Sequence, residues 1–201
     1  MAIGLNPVSW RRMSDAVENV RRRLLRAAGA LRDAGVPYAV VGGNAVAAWV
    51  SRVDESAVRN TRSVDILLRH KDLAATIVAL ERAGFHHRRV ASLGQAGSME
   101  VFLDGAEGKI RDAVHIVFAS EKTKADQPGL NAAIGESEDA GDFRLVALEA
   151  LIRMKLGAFR DKDRVHLRDL VSVGLLDETW LDRVPAELKE RLKQILASPD
   201  E

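Results

Sequence analysis

An α+β protein built on a mixed sheet is the fold class this sequence predicts, and a few observations carry the prediction. Apolar runs rich in strand formers alternate with amphipathic helical stretches in the first half, in the order strand, helix, strand, helix. Strand-like runs then follow one another around residues 85–119 with no helical pattern between them. A doubly wound parallel sheet would need a crossover helix at each such step. From Phe143 the pattern is helical. The expected organisation is a basic amphipathic helix over 1–35, a core over 36–120, a loop over 121–142 and a C-terminal helical region over 143–201.

Ser14 to Ala34 reads as a helix. Val17, Val20, Leu24, Ala28 and Leu31 recur every third or fourth residue and make one stripe. Arg11, Arg12, Arg21, Arg22, Arg23 and Arg26 crowd its polar side, and Gly35 ends it. Such a run is a solvated face or a patch for phosphate or nucleic acid. Tyr38 to Val41 is a compact apolar run, predicted as a strand. Gly42-Gly43 breaks it, and Asn44 is placed to cap a helix carrying Ala45 to Trp49. A polar loop with Arg52, Arg59 and Arg62 leads to Val64-Asp65-Ile66-Leu67-Leu68, a second strand with one acid inside it. An acid in an apolar strand is costly unless it has a partner or a task.

Lys71 to Ala83 reads as a helix with Leu73, Ile77 and Leu80 inward and Gly84 as its stop. His86 and His87 are adjacent in the next strand and point to opposite faces, so they do not easily share a metal. Gly94 to Ser98 reads as a turn, Met99 to Leu103 as a strand, and Asp104 to Gly108 as a hairpin-type connection. In Asp112 to Ala119, Val114, Ile116 and Phe118 alternate with Ala113, His115 and Val117, as in a strand. Glu121 to Asp142 is polar, carries Pro128 and several glycines, and reads as a long mobile loop. Leu148, Leu151, Ile152, Lys155 and Leu156 share a helix, and Arg164 to Val173 forms another. Asp177 caps a short helix through Trp180, and Pro185 opens a last helix over Ala186 to Leu196.

Composition bounds what such a chain does. With 201 residues it can bury one sizeable core, and 47% apolar with 29% charged residues is ordinary for a globular protein. A net charge of +1 provides no global basic field for nucleic acid. The sequence has no cysteine, which excludes disulfides and thiol catalysis and suits a cytoplasmic protein. No apolar run approaches the roughly 20 residues of a membrane span, so no membrane partner is expected. Met1 to Trp10 lacks the basic-then-apolar order of a secretory signal.

A glycine pair at a helix N-terminus lets backbone N–H groups approach a phosphate closely, and an acid on the next strand can hold the accompanying cation. Val41-Gly42-Gly43-Asn44, followed by Thr61-Arg62-Ser63-Val64-Asp65-Ile66, resembles the nucleotidyltransferase superfamily typified by DNA polymerase beta. The small bacterial members are the most similar, including abortive-infection toxins, which act in toxin–antitoxin pairs, and antibiotic nucleotidyltransferases. Their pattern is an apolar strand, Gly-Gly or Gly-Ser, a short helix, then Asp-x-Asp in the next strand. Ser63 departs from it: a neutral hydroxyl stands at the first acid position, and only Asp65 matches.

The resemblance implies a mixed-sheet nucleotidyltransferase core with flanking helices and a helical tail. It implies that a nucleoside triphosphate is bound and its nucleoside monophosphate moved to an acceptor. The acceptor is an RNA, a protein or a small molecule. It implies Mg²⁺ held by acids, with Asp65 a ligand and Gly42 and Gly43 cradling the triphosphate beside Asn44. Aligned by strand alternation, His115 takes the place of the third family acid; a core histidine satisfied by hydrogen bonds is its other reading, and Asp112 and Glu100 lie nearby. Lys155, in Arg153-Met154-Lys155-Leu156, corresponds to a lysine that faces the triphosphate, or is a snorkelling surface lysine. Arg59 and Arg62 are available as a phosphate clamp. With Ser63 lacking charge, transfer is expected to be weak. The alternatives are a catalytically inactive nucleotide-binding regulator, and a nucleic-acid-binding module built on the basic helix.

Overall fold

A computed structural model describes residues 9–91 and 98–198. It contains helices α1 (Trp10–Asp33), α2 (Gly42–Ser51), α3 (Leu73–Arg82), α4 (Leu148–Ala158), α5 (Asp161–Ser172) and α6 (Lys189–Ala197). The strands are β1 (Tyr38–Val41), β2 (Val64–Leu68), β3 (Phe85–Ala91), β4 (Ser98–Asp104), β5 (Val114–Phe118), β6 (Ser137–Asp139) and β7 (Arg144–Val146). All seven form one sheet in the order β3-β4-β5-β2-β1-β7-β6. The β1–β2, β3–β4, β4–β5 and β6–β7 pairs are antiparallel, while β2–β5 and β1–β7 are parallel. The sheet is therefore mixed and the class α+β, as the successive strand runs predict.

Both faces of the sheet are covered. Val40, Val64, Ile66, Leu68, Val114 and Ile116 point to the side of α1 and α3, where Leu24, Ala28, Leu31 and Leu80 close one core. Ala39, Val41 and Leu67 point the other way, onto Leu151, Ile152 and Leu156 of α4, Leu167 and Leu170 of α5, and Leu192 and Ile195 of α6. Side chains along a strand alternate between faces. Asp65 therefore shares the second face with Leu67, and His115, its partner in the β2–β5 register, shares it too.

Several expectations change. The expected loop over 121–142 contains β6, and the chain after Phe143 forms β7 before it turns helical. Short strands paired by a tight connection carry little periodicity of their own; β7 is fixed by pairing with β1, and β6 by pairing with β7. Asn44 is not a cap. Helix α2 begins at Gly42 with Val41 as its N-cap, and the Asn44 side chain instead donates to the Ser63 carbonyl at 2.8 Å. Helix α1 starts at Trp10, capped by Ser9. Its apolar stripe is buried from Leu24 onward, while Met13 and Val17 stand in solvent. Arg23, read with its neighbours as a solvated face or an anion patch, is buried and pairs with Asp104 of β4 at 3.1 Å. The 94–98 turn lies almost wholly outside the described residues.

Candidate functional site

One cleft of about 680 Å³ opens on the α4–α5 side of the sheet. Gly42 and Gly43 form one rim, Ser63, Asp65 and His115 the sheet floor, Lys155, Lys162 and His166 the opposite wall, and residues 121–127 a strap across one end. The two glycines are required by what packs on them. Gly42 has φ +71°, and a Cβ there would lie 2.0 Å from Asp65 Oδ2. A Cβ on Gly43 would come within 2.9 Å of Thr61 Oγ1. The Asp65 carboxylate thus sits directly over the backbone that opens α2. The first N–H groups of a helix have no intrahelical acceptor, so this rim presents donors to the cleft.

Asp65 and His115 face each other across the parallel β2–β5 pair, Nδ1 lying 3.5 Å from Oδ1. That is an ion-pair distance, longer than a good hydrogen bond. His115 Nε2 lies 2.7 Å from the Ile110 carbonyl. A carbonyl only accepts, so Nε2 carries the proton. Burial alone would raise the Asp65 pKa, but the His115 ring and the charges of Lys162 and Lys155 hold it below the usual carboxylate range. Burial alone would lower the His115 pKa; Asp65 and the Ile110 carbonyl outweigh it and raise it.

The opposite wall is a buried charge network. Lys155 Nζ donates to Asp163 Oδ1 at 2.9 Å and to His166 Nδ1 at 3.0 Å. An ammonium has no lone pair, so His166 Nδ1 is the acceptor and its ring is neutral. Burial and the neighbouring lysine push the His166 pKa down to about 4. Asp163 is fully buried. It also accepts from Arg160 Nε at 2.6 Å and caps the first turn of α5 through the Arg160 N–H. Burial works against its charge, yet Arg160 and Lys155 drive its pKa down to about 2. For Lys155 burial prevails, and its pKa falls despite Asp163 and Asp65.

The structure therefore brings Gly42, Gly43, Ser63, Asp65, His115 and Lys155 to one cleft. Asn44 stands behind its rim on the Ser63 carbonyl. Arg62 is exposed and lies outside the cleft lining; its carbonyl accepts from Arg23. Arg59 is taken up by Asp169, with Nη2 3.0 Å from Oδ1. Glu100 reaches the cleft edge, but His87 and Arg89 bind its oxygens at 2.6 and 2.7 Å. Sequence reasoning missed His166 and the holding role of Asp163. Their spacing of three residues on one helix, after a helix carrying a lysine, was the available signal. Nothing in the loop pattern marked Lys122 and Lys124, which line the cleft from the strap.

A nucleotidyltransferase would hold divalent ions here. Among the described residues no group of three or more acidic or histidine side chains converges on one point. The set present, one carboxylate and one imidazole, fits an ion that arrives already bound to phosphate oxygens. It does not fit a pair of ions caged by protein alone.

No family model matches the chain, and no curated protein matches it. Solved structures that are similar to it include the following. The solution structure of the antibiotic-resistance factor ANT(2'')-Ia has 18% identity, a TM-score of 0.49, and coverage of 92% of this chain and 92% of that one. The crystal structure of ANT(2'')-Ia in complex with adenylyl-2''-tobramycin has 17% identity, a TM-score of 0.48, and coverage of 90% and 94%. An antigenic nucleotidyltransferase-like protein from Paracoccidioides brasiliensis has 15% identity, a TM-score of 0.47, and coverage of 91% and 88%. Likenesses of this size do not assign an activity.

Proposed function

We propose that this chain binds a nucleoside triphosphate in the cleft and works as a nucleotidyltransferase-type protein whose transfer step is slow or absent. The observation that supports it is the meeting of Gly42-Gly43, Asp65 and Lys155. A helix N-terminus that only glycines can form faces a buried lysine across one cleft. Backbone donors and a fixed cation on opposite walls suit a polyphosphate. Lys162, Lys122 and Lys124 line the same cleft and, among the described residues, make no ion pair, so further phosphate charge can be met there.

Asp65 would hold the ion that the triphosphate carries, and that ion would supply screening of the phosphate charge. The protein's own part is to orient. Asp163 and His166 fix the Lys155 ammonium, and Asn44 fixes the strand segment that carries Ser63. Ser63 adds no negative charge, so a second ion on the acceptor side lacks its carboxylate. Binding would survive this loss while transfer would be slow or absent, because an acceptor-side ion would supply activation there and Ser63 would not hold it. The acceptor, whether RNA, protein or small molecule, would approach from the open side of the cleft.

Calorimetric titration with ATP, GTP, CTP and UTP tests the reading, on this chain and on Lys155→Ala. Triphosphate affinity should fall by about tenfold or more in the variant, and monophosphate affinity by less. Equal losses would place Lys155 outside the phosphate site, and no binding of any triphosphate would end the proposal. Among the described residues no helix is long and apolar enough to cross a membrane, so the assay needs no lipid.

A further inference from the structure

We infer that the ion accompanying the triphosphate is held by one oxygen and one nitrogen, Asp65 Oδ1 and His115 Nδ1, and that the cleft therefore selects a nitrogen-accepting divalent ion of the Mn²⁺ class over Mg²⁺. The inference rests on the triphosphate reading above and concerns the ion alone.

The geometry has three parts. The donor atoms stand 3.5 Å apart on adjacent strands in register. Ligand atoms about 2.1 Å from a shared ion stand roughly 3.0–3.4 Å apart, so the pair needs little movement to close on one. The second nitrogen of His115 is anchored on the Ile110 carbonyl at 2.7 Å. Metal-bound histidines are usually oriented in this way, by donating the other ring N–H to a carbonyl or carboxylate. This anchor holds one proton on Nε2 and leaves Nδ1 facing Asp65, the nitrogen that must be unprotonated for the ion to bind there.

The remaining oxygen donors that Mg²⁺ would prefer are withheld. Ser63 supplies only a hydroxyl, and Glu100 is engaged by His87 and Arg89. Mg²⁺ demands oxygen and near-ideal octahedral geometry. Mn²⁺ and its heavier neighbours accept imidazole, with affinity rising along the series. Replacing the family's third acid by histidine thus changes which ion fits, rather than abolishing the site. The other positions around the ion go to phosphate oxygens and water.

The test is ATP binding by the whole chain with Mn²⁺, with Mg²⁺ and with EDTA. Affinity with Mn²⁺ should exceed that with Mg²⁺ by about tenfold. Mn²⁺ bound to ATP in solution should show a further change in its electron-resonance spectrum when the protein is added, which His115→Ala should abolish. His115→Asp supplies an oxygen and should bring the Mn²⁺ preference down to about twofold or less. Should that variant fail to fold, the unaltered chain still decides. Mn²⁺ with a non-hydrolysable ATP analogue should broaden the His115 ring resonances, which Mg²⁺ leaves sharp. Equal binding with Mg²⁺, equal binding in EDTA, or an unbroadened His115 would overturn the ion assignment while leaving triphosphate binding in place. No binding under any condition would remove the triphosphate reading itself.

Discussion

Two carboxylates in this molecule are each shared by two cations, and they behave differently. Asp163 sits between Lys155 and Arg160 under the cleft; Asp104 sits between Arg23 and Arg26 where α1 crosses β4. Asp163 has no solvent-exposed side-chain surface, whereas that of Asp104 is 31% exposed. The Asp104 cluster is a strap: it ties a long helix to the last residue of β4, and water shares the work of solvating it. In the Asp163 cluster only Arg160 has that help. Asp163 and Lys155 are stabilised by each other, by Arg160 and His166 and by the charge of Asp65, and Lys155 looks into the cleft. Burying a charge pair rarely raises stability over an apolar pair of the same shape. Where such a cluster persists beside a cleft, ligand charge is the natural reason for it; at the α1 seam, attachment is reason enough.

The comparison breaks most easily at Asp163. Asp163→Asn keeps the shape, strips the counter-ion from a buried lysine, and should cost about 3–5 kcal/mol in urea denaturation. Acid should find the same weak point. The Asp163 pKa is about 2 in the folded chain. Its stabilisation is complete above the unfolded carboxylate range and lost as pH falls towards 2, about 2 kcal/mol in all. His166 acts earlier and with the same sign. Its folded pKa is about 4, so the unfolded chain takes up the proton first and stability declines as pH falls from about 6.5 to 4. Melting temperatures across pH 2–8 should show both steps, and His166→Gln should erase the upper one. Asp104→Asn should cost only about 1 kcal/mol, because solvent replaces the lost partner. Equal losses at positions 104 and 163 would dissolve the distinction. Smallest of all, Arg59→Ala removes an exposed arginine from Asp169 and should change stability by less than about 1 kcal/mol.

The parts of the site that were legible in the sequence are those whose local pattern has one explanation. Gly42-Gly43 after an apolar run, and one acid inside Val64–Leu68, announced a helix start and a strand that line the cleft. His115 was found by alternation, and the β2–β5 register places it opposite Asp65. The missed parts are decided by partners distant in sequence. Asn44 looked like a cap because caps are local; the Ser63 carbonyl it reaches is not. Arg23 looked like its exposed neighbours because only Asp104, on another element, distinguishes it. Strands β6 and β7 were hidden because pairing of β7 with β1, and of β6 with β7, rather than apolar alternation, makes them strands.

The parallel pairing of Val40 with Leu145 sets the timing of the molecule's birth. The cleft draws its rim from residues near 42, its floor from 65 and 115, and its charged wall from 155 to 166. No contiguous fragment holds it. Contacts between residues so far apart must close long loops before they stabilise anything, which slows folding. During synthesis the strand that carries Asp65 emerges well before the helices that cover it, and its neighbours Ile66 to Leu68 are fully buried in the finished protein. A ribosome-bound chain ending before α5 therefore lacks Asp163 and His166, leaves Lys155 without its partners, and has no charged wall for the cleft. The cleft is complete only when α4 and α5 fold back over the sheet.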